Sequence, residues 1–268
     1  MAFLVTRRGA RPYSYRGTGA IFAQLTTGAG SAKGAWTEFS AALPVAIRTL
    51  DVRLLGGETG VWYILDIGIG AAGAEVVILP NLLFQSFTDF AAECRTFRFP
   101  YALPAGTRLA MRGQNNTGLN KAVRAALMGH AGGTVAGMQR GITYGVNLAT
   151  SLAVNIDPGA VANTKGAWVQ MAATTTYPIR HLTLAVVPVS SVSFMSWALD
   201  IGIGAAGAEV VLVPDVTVHA ADIGRAIGPT AESFDVNVPA GVRLAIRAAC
   251  ESTASPARVL AAALTGMG

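Results

Sequence analysis

Charge is scarce in this chain. Of its 268 residues only 13% are Asp, Glu, Lys or Arg, against an apolar fraction of 52%. A chain of that composition fills real cores, which excludes disorder as a general description. It also leaves a surface that would be sticky in a free monomer, so an assembly is expected. Cysteine is scarce too: Cys94 and Cys250 are the two present. They occupy non-equivalent places in the repeat described below, so neither half holds the pair that an internal disulfide needs. A reduced protein folded inside the cell is the expectation. The three histidines, His130, His181 and His219, have no Cys, Asp or Glu at ligand spacing, which argues against a metal centre. No serine sits in a GxSxG elbow, and Cys94 has no identifiable histidine partner.

Long uninterrupted apolar runs are missing as well. The stretch from Leu182 to Leu199 carries no charge but contains Pro188, Ser190, Ser191, Ser193 and Ser196. Two strands around a Ser-rich turn explain it better than a spanning helix, and no membrane partner is expected. The start, MAFLVTRRGARPYSY, places basic residues after a very short apolar run, the wrong order for a secretory signal.

What the chain does have is glycine, 31 residues of it, with 12 prolines and abundant Ala, Val and Thr. This composition favours short strands and turns, hence an all-β fold. The net charge of +5 is modest and dispersed, apart from Arg7, Arg8, Arg11 and Arg16. That cluster is a candidate assembly arm for an acidic partner surface. Nucleic acid is the less favoured partner, because neither an aromatic platform nor a recognition helix accompanies the cluster.

The dominant feature is a duplication. LDIGIGAAGAEVV at Leu65–Val77 returns letter for letter at Leu199–Val211, an offset of 134 residues. Weaker matches keep the same order. KGAW at Lys33–Trp36 returns at Lys165–Trp168, and LPAGTRLAMR at Leu103–Arg112 returns as VPAGVRLAIR at Val238–Arg247. Small drifts in offset are loop insertions between collinear units. The expected division is a first domain over residues 1–133, carrying the Arg-rich arm, and a second over 134–268, with the boundary near Gly132 to Gly137. Each would be an antiparallel β-sandwich of jelly-roll type. Strands are expected near residues 20–26, 36–42, 47–54, 60–67, 74–79, 94–101, 107–112 and 122–129. In TRLAMR, Arg108, Ala110 and Arg112 point one way and Leu109 and Met111 the other, which predicts one wet face.

Gly68, Gly70 and Gly73, and again Gly202, Gly204 and Gly207, satisfy GxGxxG. A dinucleotide site needs a helix immediately afterwards, but AEVVILP and AEVVLVP follow, short β-branched runs ended by Pro80 and Pro214. A glycine-rich turn between antiparallel strands is the expectation, and no cofactor. Asp66 and Glu75, repeated as Asp200 and Glu209, flank the loop. Acid/base or calcium chemistry would need further converging ligands. Turn-capping, or packing against Arg108 and Arg243, is therefore expected. Trp36 and Trp168 open a strand in each half, as buried anchors or as sugar-stacking platforms; Trp62 and Trp197 lie close to equivalent places.

GAW, DIGIGAAGAEVV with its following proline, and PAG.RLA.R leading into a strand that ends in Gly resemble a recurring module of virion structural proteins of tailed bacteriophages. The resemblance covers both halves. It implies a non-enzymatic component of the virion, in the tail, neck, baseplate or head decoration, assembled in the host cytoplasm. Its partners would be other virion proteins and copies of itself. The alternative is a carbohydrate-binding module for a host-surface glycan, built on the two glycine-rich loops and nearby aromatics.

Overall fold

The computed structural model describes residues 12–15, 23–86, 94–131, 140–189, 195–222, 225–226, 231–252 and 258–268. The Arg7, Arg8, Arg11 and Arg16 cluster and the expected boundary near Gly132 to Gly137 lie outside the described residues.

Strands dominate, and no helix occurs among the described residues. The first nine are β1 (Pro12–Tyr15), β2 (Ala23–Thr26), β3 (Thr37–Ser40), β4 (Thr49–Gly57), β5 (Trp62–Ile69), β6 (Val76–Gln85), β7 (Cys94–Phe99), β8 (Leu109–Asn115) and β9 (Ala122–His130). Then follow β10 (Gly141–Tyr144), β11 (Val146–Asn147), β12 (Leu152–Ile156), β13 (Val169–Ala172), β14 (Ile179–Pro188) and β15 (Met195–Ile203). The last five are β16 (Val210–Asp222), β17 (Arg225–Ala226), β18 (Ala231–Val238), β19 (Leu244–Cys250) and β20 (Leu260–Met267). The Leu182–Leu199 stretch is thus divided between β14 and β15. No helix among the described residues is long and apolar enough to cross a membrane.

By packing, the chain divides into two compact units. The first comprises residues up to Ile142 together with Leu148–Ser151, the second Thr143–Asn147 with Leu152–Gly268. In the first unit one antiparallel sheet runs β1-β9-β4-β7 with β2 also on β9, and the other runs β3-β8-β5-β6. In the second unit the orders are β11-β12-β20-β14-β18 and β13-β19-β15-β16-β17. The order β2-β9-β4-β7 therefore returns as β12-β20-β14-β18, and β3-β8-β5-β6 as β13-β19-β15-β16.

Central strands are buried along nearly their whole length. β5 is covered from Trp62 to Gly68, and β20 at every one of its eight residues. Strands enclosed on both faces read as continuous apolar runs, as WYIL and LAAAL do, whereas the edge strand β2 alternates buried and exposed. Each fully covered Leu, Ile or Phe contributes about 2 kcal/mol of apolar burial. The wet face expected of TRLAMR is corrected here. Ala110 is fully buried, and the Arg108 and Arg112 side chains are only 14% and 32% exposed. Both guanidiniums are tied to carboxylates, Arg108 to Glu38 and Glu75 and Arg112 to Asp66, so alternation marks a polar face without leaving it open.

Candidate functional site

β5 and β6 form a hairpin whose turn, residues 70–75, is the first copy of the repeated loop; β15 and β16 form the second around residues 204–209. A strand, not a helix, follows the glycines in both. Gly70 has φ +111° and Gly204 φ +118°, conformations that side chains other than glycine's rarely adopt. Gly68 serves differently: a Cβ there would stand 2.6 Å from Cη2 of Trp36.

The repeated carboxylates are fully engaged. Glu75, whose side chain is 2% exposed, accepts from Arg108 Nη1 at 2.9 Å and from Gly73 N at 3.0 Å. Arg108 also donates to Gly70 O at 3.1 Å and to Glu38 at 2.7 Å. The other loop has the same clamp: Arg243 donates to Glu209 at 2.6 Å and to Gln170 at 3.0 Å. Burial pushes the Glu75 carboxyl up, but the loop amides and the guanidinium outweigh it and hold the pKa below the ordinary value; Glu209 is held down by the same balance.

Asp66 is the hub of a second cluster and is 3% exposed. It accepts from Lys33 Nζ at 2.8 Å, Asn81 N at 2.9 Å and Arg112 Nε at 3.0 Å. Asp200 accepts from Lys165 at 2.7 Å, Asp215 N at 3.0 Å and Arg247 at 2.8 Å. The cause is a bulge. Leu65 faces Leu82 and Ile67 faces Leu79, so Pro80 and Asn81 together oppose Asp66. Pro80 has no N–H, and Asn81 takes φ +58°, a conformation Asn and Asp tolerate. The carboxylate accepts the amide that the broken ladder strands. Lys33 is lowered by burial, partly offset by Asp66. Asp200 is raised by burial, but its three donors bring it below the ordinary carboxylate value.

Turn-capping, or packing against Arg108 and Arg243, is the expectation for all four acids; Glu75 and Glu209 meet those arginines, and Glu75 also caps its turn at Gly73 N, whereas Asp66 and Asp200 pair with Arg112 and Arg247. Lys33, Lys165, Asn81, Asp215, Arg112 and Arg247 are partners not expected from the sequence, although each lies in or beside a repeated motif. The same arginines lie over the tryptophans: Arg112 is 4.6 Å from the Trp36 ring centroid and Arg247 4.5 Å from that of Trp168. Both tryptophans are half-buried, each with one face covered by a guanidinium. Trp62 is buried, and Trp197 is buried with its indole N–H donating to Arg258 O at 2.8 Å.

Outside the loops, Asp51 accepts both Arg98 donors at 2.8 Å and stands 2.9 Å from His130 Nε2. Burial raises the Asp51 carboxyl, yet Arg98 and His130 together bring it down to about 2. This cluster is not repeated, since Thr183 pairs with Ser233 across the corresponding strands. Among the described residues no group of three or more His, Cys, Asp or Glu stands together as a metal site. Cys250 is a free, buried thiol whose pKa burial raises.

What the clamps leave exposed is apolar. The loop tips are Ala71, Ala72 and Ala74 in one unit and Ala205, Ala206 and Ala208 in the other. Beside them Val76 is 64% and Val77 36% exposed, and Val210 and Val211 match them at 67% and 39%. In the first unit an open cleft of about 630 Å³ runs from Ile69, Gly70, Ala71 and Val76 to Ala41, Gly106, Thr107 and Arg108.

No family model matches the sequence, and no curated protein is significantly similar to it. Solved structures match it at low similarity. PNGF-II matches over 92% of this chain at 7% identity and a TM-score of 0.33, and the chain spans 65% of its length. PNGase F, a glycosylasparaginase from Flavobacterium meningosepticum, matches over 97% of this chain and 96% of its own at 8% identity and a TM-score of 0.36. The CBM22-1–CBM22-2 tandem domain of Paenibacillus barcinonensis Xyn10C matches over 98% of this chain and 92% of its own, at 10% identity and a TM-score of 0.26. The expectation that the chain is not an enzyme is corrected: the structures it matches include PNGase F, a glycosylasparaginase.

Proposed function

We propose that the chain is a structural component of a larger particle, built of two copies of one β-sandwich module and acting through protein-protein contacts. The resemblance to virion structural proteins of tailed bacteriophages gives the kind of particle. One observation carries the reading: the same exposed valine pair stands beside the same clamped loop in both units. Rigid, repeated, apolar surfaces suit partners that are themselves repeated, and the low charge of the chain agrees.

A glycan site is less favoured by the same geometry. Sugar recognition needs unengaged polar side chains around an open aromatic face. At these loops the tips are alanines, the nearby carboxylates and guanidiniums are paired with one another, and Trp36 and Trp168 each carry an arginine on one face.

The test is the copy number of this protein in gradient-purified particles from its source, by quantitative mass spectrometry against the most abundant coat protein. Co-sedimentation at a small symmetric multiple supports a neck, tail or baseplate position, and hundreds of copies support head decoration. Absence from every particle fraction overturns the reading.

A further inference from the structure

Lys33 does more in the Asp66 cluster than complete an ion pair. Its side chain is 17% exposed, and its Nζ donates to Ile64 O at 3.2 Å, to Asp66 Oδ1 at 2.8 Å and to the side-chain carbonyl oxygen of Asn81 at 3.0 Å. The bulge that hands the Asn81 amide N–H to Asp66 therefore also sets a carboxamide beside an amine. With a C=O bond of about 1.23 Å, the Asn81 Cγ stands within about 4.2 Å of that Nζ. Rotation about the Asn81 side-chain torsion closes the gap towards the roughly 3–3.5 Å from which reacting atoms combine. Burial, partly offset by Asp66, lowers the Lys33 pKa and so raises the share of neutral amine, the nucleophilic form. A nucleophile, a base and an acyl group thus meet in one half-buried place.

We infer that Lys33 and Asn81 are a site of self-catalysed cross-linking, an isopeptide bond from Nζ to Cγ within the first unit, with Asp66 as the base. Asp66 Oδ1 takes a proton from the Lys33 ammonium, and the freed amine adds to the Asn81 Cγ. The carboxyl then relays protons from Nζ to the departing nitrogen. The Cγ–Nδ2 bond breaks, an ammonium ion leaves in place of the Lys33 ammonium, and Asp66 ends as the carboxylate it began as. Nothing is oxidised or reduced, and no co-reactant is needed. Arg112, on the other carboxylate oxygen at 3.0 Å, keeps Oδ1 turned to the amine. Without Asp66 the bond does not form and Lys33 stays an ammonium. The bond ties the segment leading into edge strand β3 to the opposite edge strand, β6, and closes a loop between residues 48 apart, which restricts the unfolded chain. The second unit lacks the acyl group that the step requires. Lys165 reaches Asp200 at 2.7 Å and Asp215 at 2.9 Å, but Asp215 is a carboxylate whose side chain is 72% exposed. A carboxylate resists addition of an amine, because its negative charge opposes attack and neither oxygen departs readily, so that site keeps an ion pair. The inference rests on the Lys33 cluster alone: absence of the protein from virions leaves it standing.

The test is mass spectrometry of the full chain, folded and then denatured, measured intact and after tryptic digestion. The unaltered chain is expected to weigh one ammonia, about 17 Da, less than its sequence requires, and its digest to contain one branched peptide joining Lys33 to Asn81. Lys33→Arg keeps a cation on Asp66 but has no amine to add, and Asp66→Asn removes the base. Each is expected to show the full mass of its own sequence and two separate peptides, with unchanged far-UV circular dichroism. Asn81→Gly, which suits the φ of +58° there and removes the acyl group, replaces either variant that misfolds. Lys33 and Asn81 in separate peptides of the unaltered chain, an ammonia loss that maps to another residue, or a bond that forms undiminished in Asp66→Asn each overturns the inference.

Discussion

Gly68 and Trp36 meet so closely that a Cβ on the glycine would lie 2.6 Å from the ring, and Gly202 and Trp168 stand in the same relation at 2.6 Å. Gly68→Ala should therefore displace the indole, and the guanidinium of Arg112 with it, at a cost of about 1–3 kcal/mol. In a chain already carrying Trp36→Ala the same change should cost little. The coupling is read by chemical unfolding of both singles and the double variant, and additive losses would refute the contact.

Asp66 and Asp200 each hold a bulge amide, a lysine and an arginine. Asp66→Ala leaves the Lys33 ammonium, 17% exposed, with only the neutral oxygens of Ile64 and Asn81, and should lower stability by about 3 kcal/mol. Asp200→Ala should cost less, because Lys165 keeps the Asp215 carboxylate at 2.9 Å. Thermal unfolding monitored by circular dichroism decides it, and a change under about 0.5 kcal/mol would show the clusters to be incidental.

Asp51 gives a pH dependence. Its pKa in the folded chain is about 2, below the ordinary 3.8. The stabilisation is then fully present above the unfolded value and is lost as pH falls through it towards the folded one. About 2 kcal/mol should disappear between roughly pH 5 and pH 2. Comparing the chain with Asp51→Asn by denaturant unfolding along that range isolates the contribution; parallel curves would deny it.

Val76 and Val210 should be dispensable for folding and needed for binding. Val76→Lys and Val210→Lys change residues that are 64% and 67% exposed, so stability should move by no more than about 0.5 kcal/mol. Incorporation into particles should fall with each and be lost in the double variant. Incorporation equal to the unaltered chain's would place the working surface elsewhere.

The sequence by itself determined the strand content, the glycine-rich turns and the repeated motifs, because these rest on local properties. Period-two alternation, β-branched runs and turn residues act within a few positions, and an exact thirteen-residue repeat needs no structure to be seen. Partnership was decided only in three dimensions. Lys33, Asp66, Asn81 and Arg112 are up to 79 residues apart in the chain, and pairing of β3, β8, β5 and β6 brings them onto one carboxylate. The motifs held those residues in plain view, but spacing along the chain carries no information about which basic residue a sheet sets opposite which acid. Cover was decided in the same way. AEVV is identical in both halves, and β6 and β16 begin with equal exposure, yet one is buried two residues on and the other is not. At β6 the cover includes Gly141, on which a Cβ would stand 2.8 Å from Ile78 O, a long-range contact that no local pattern encodes.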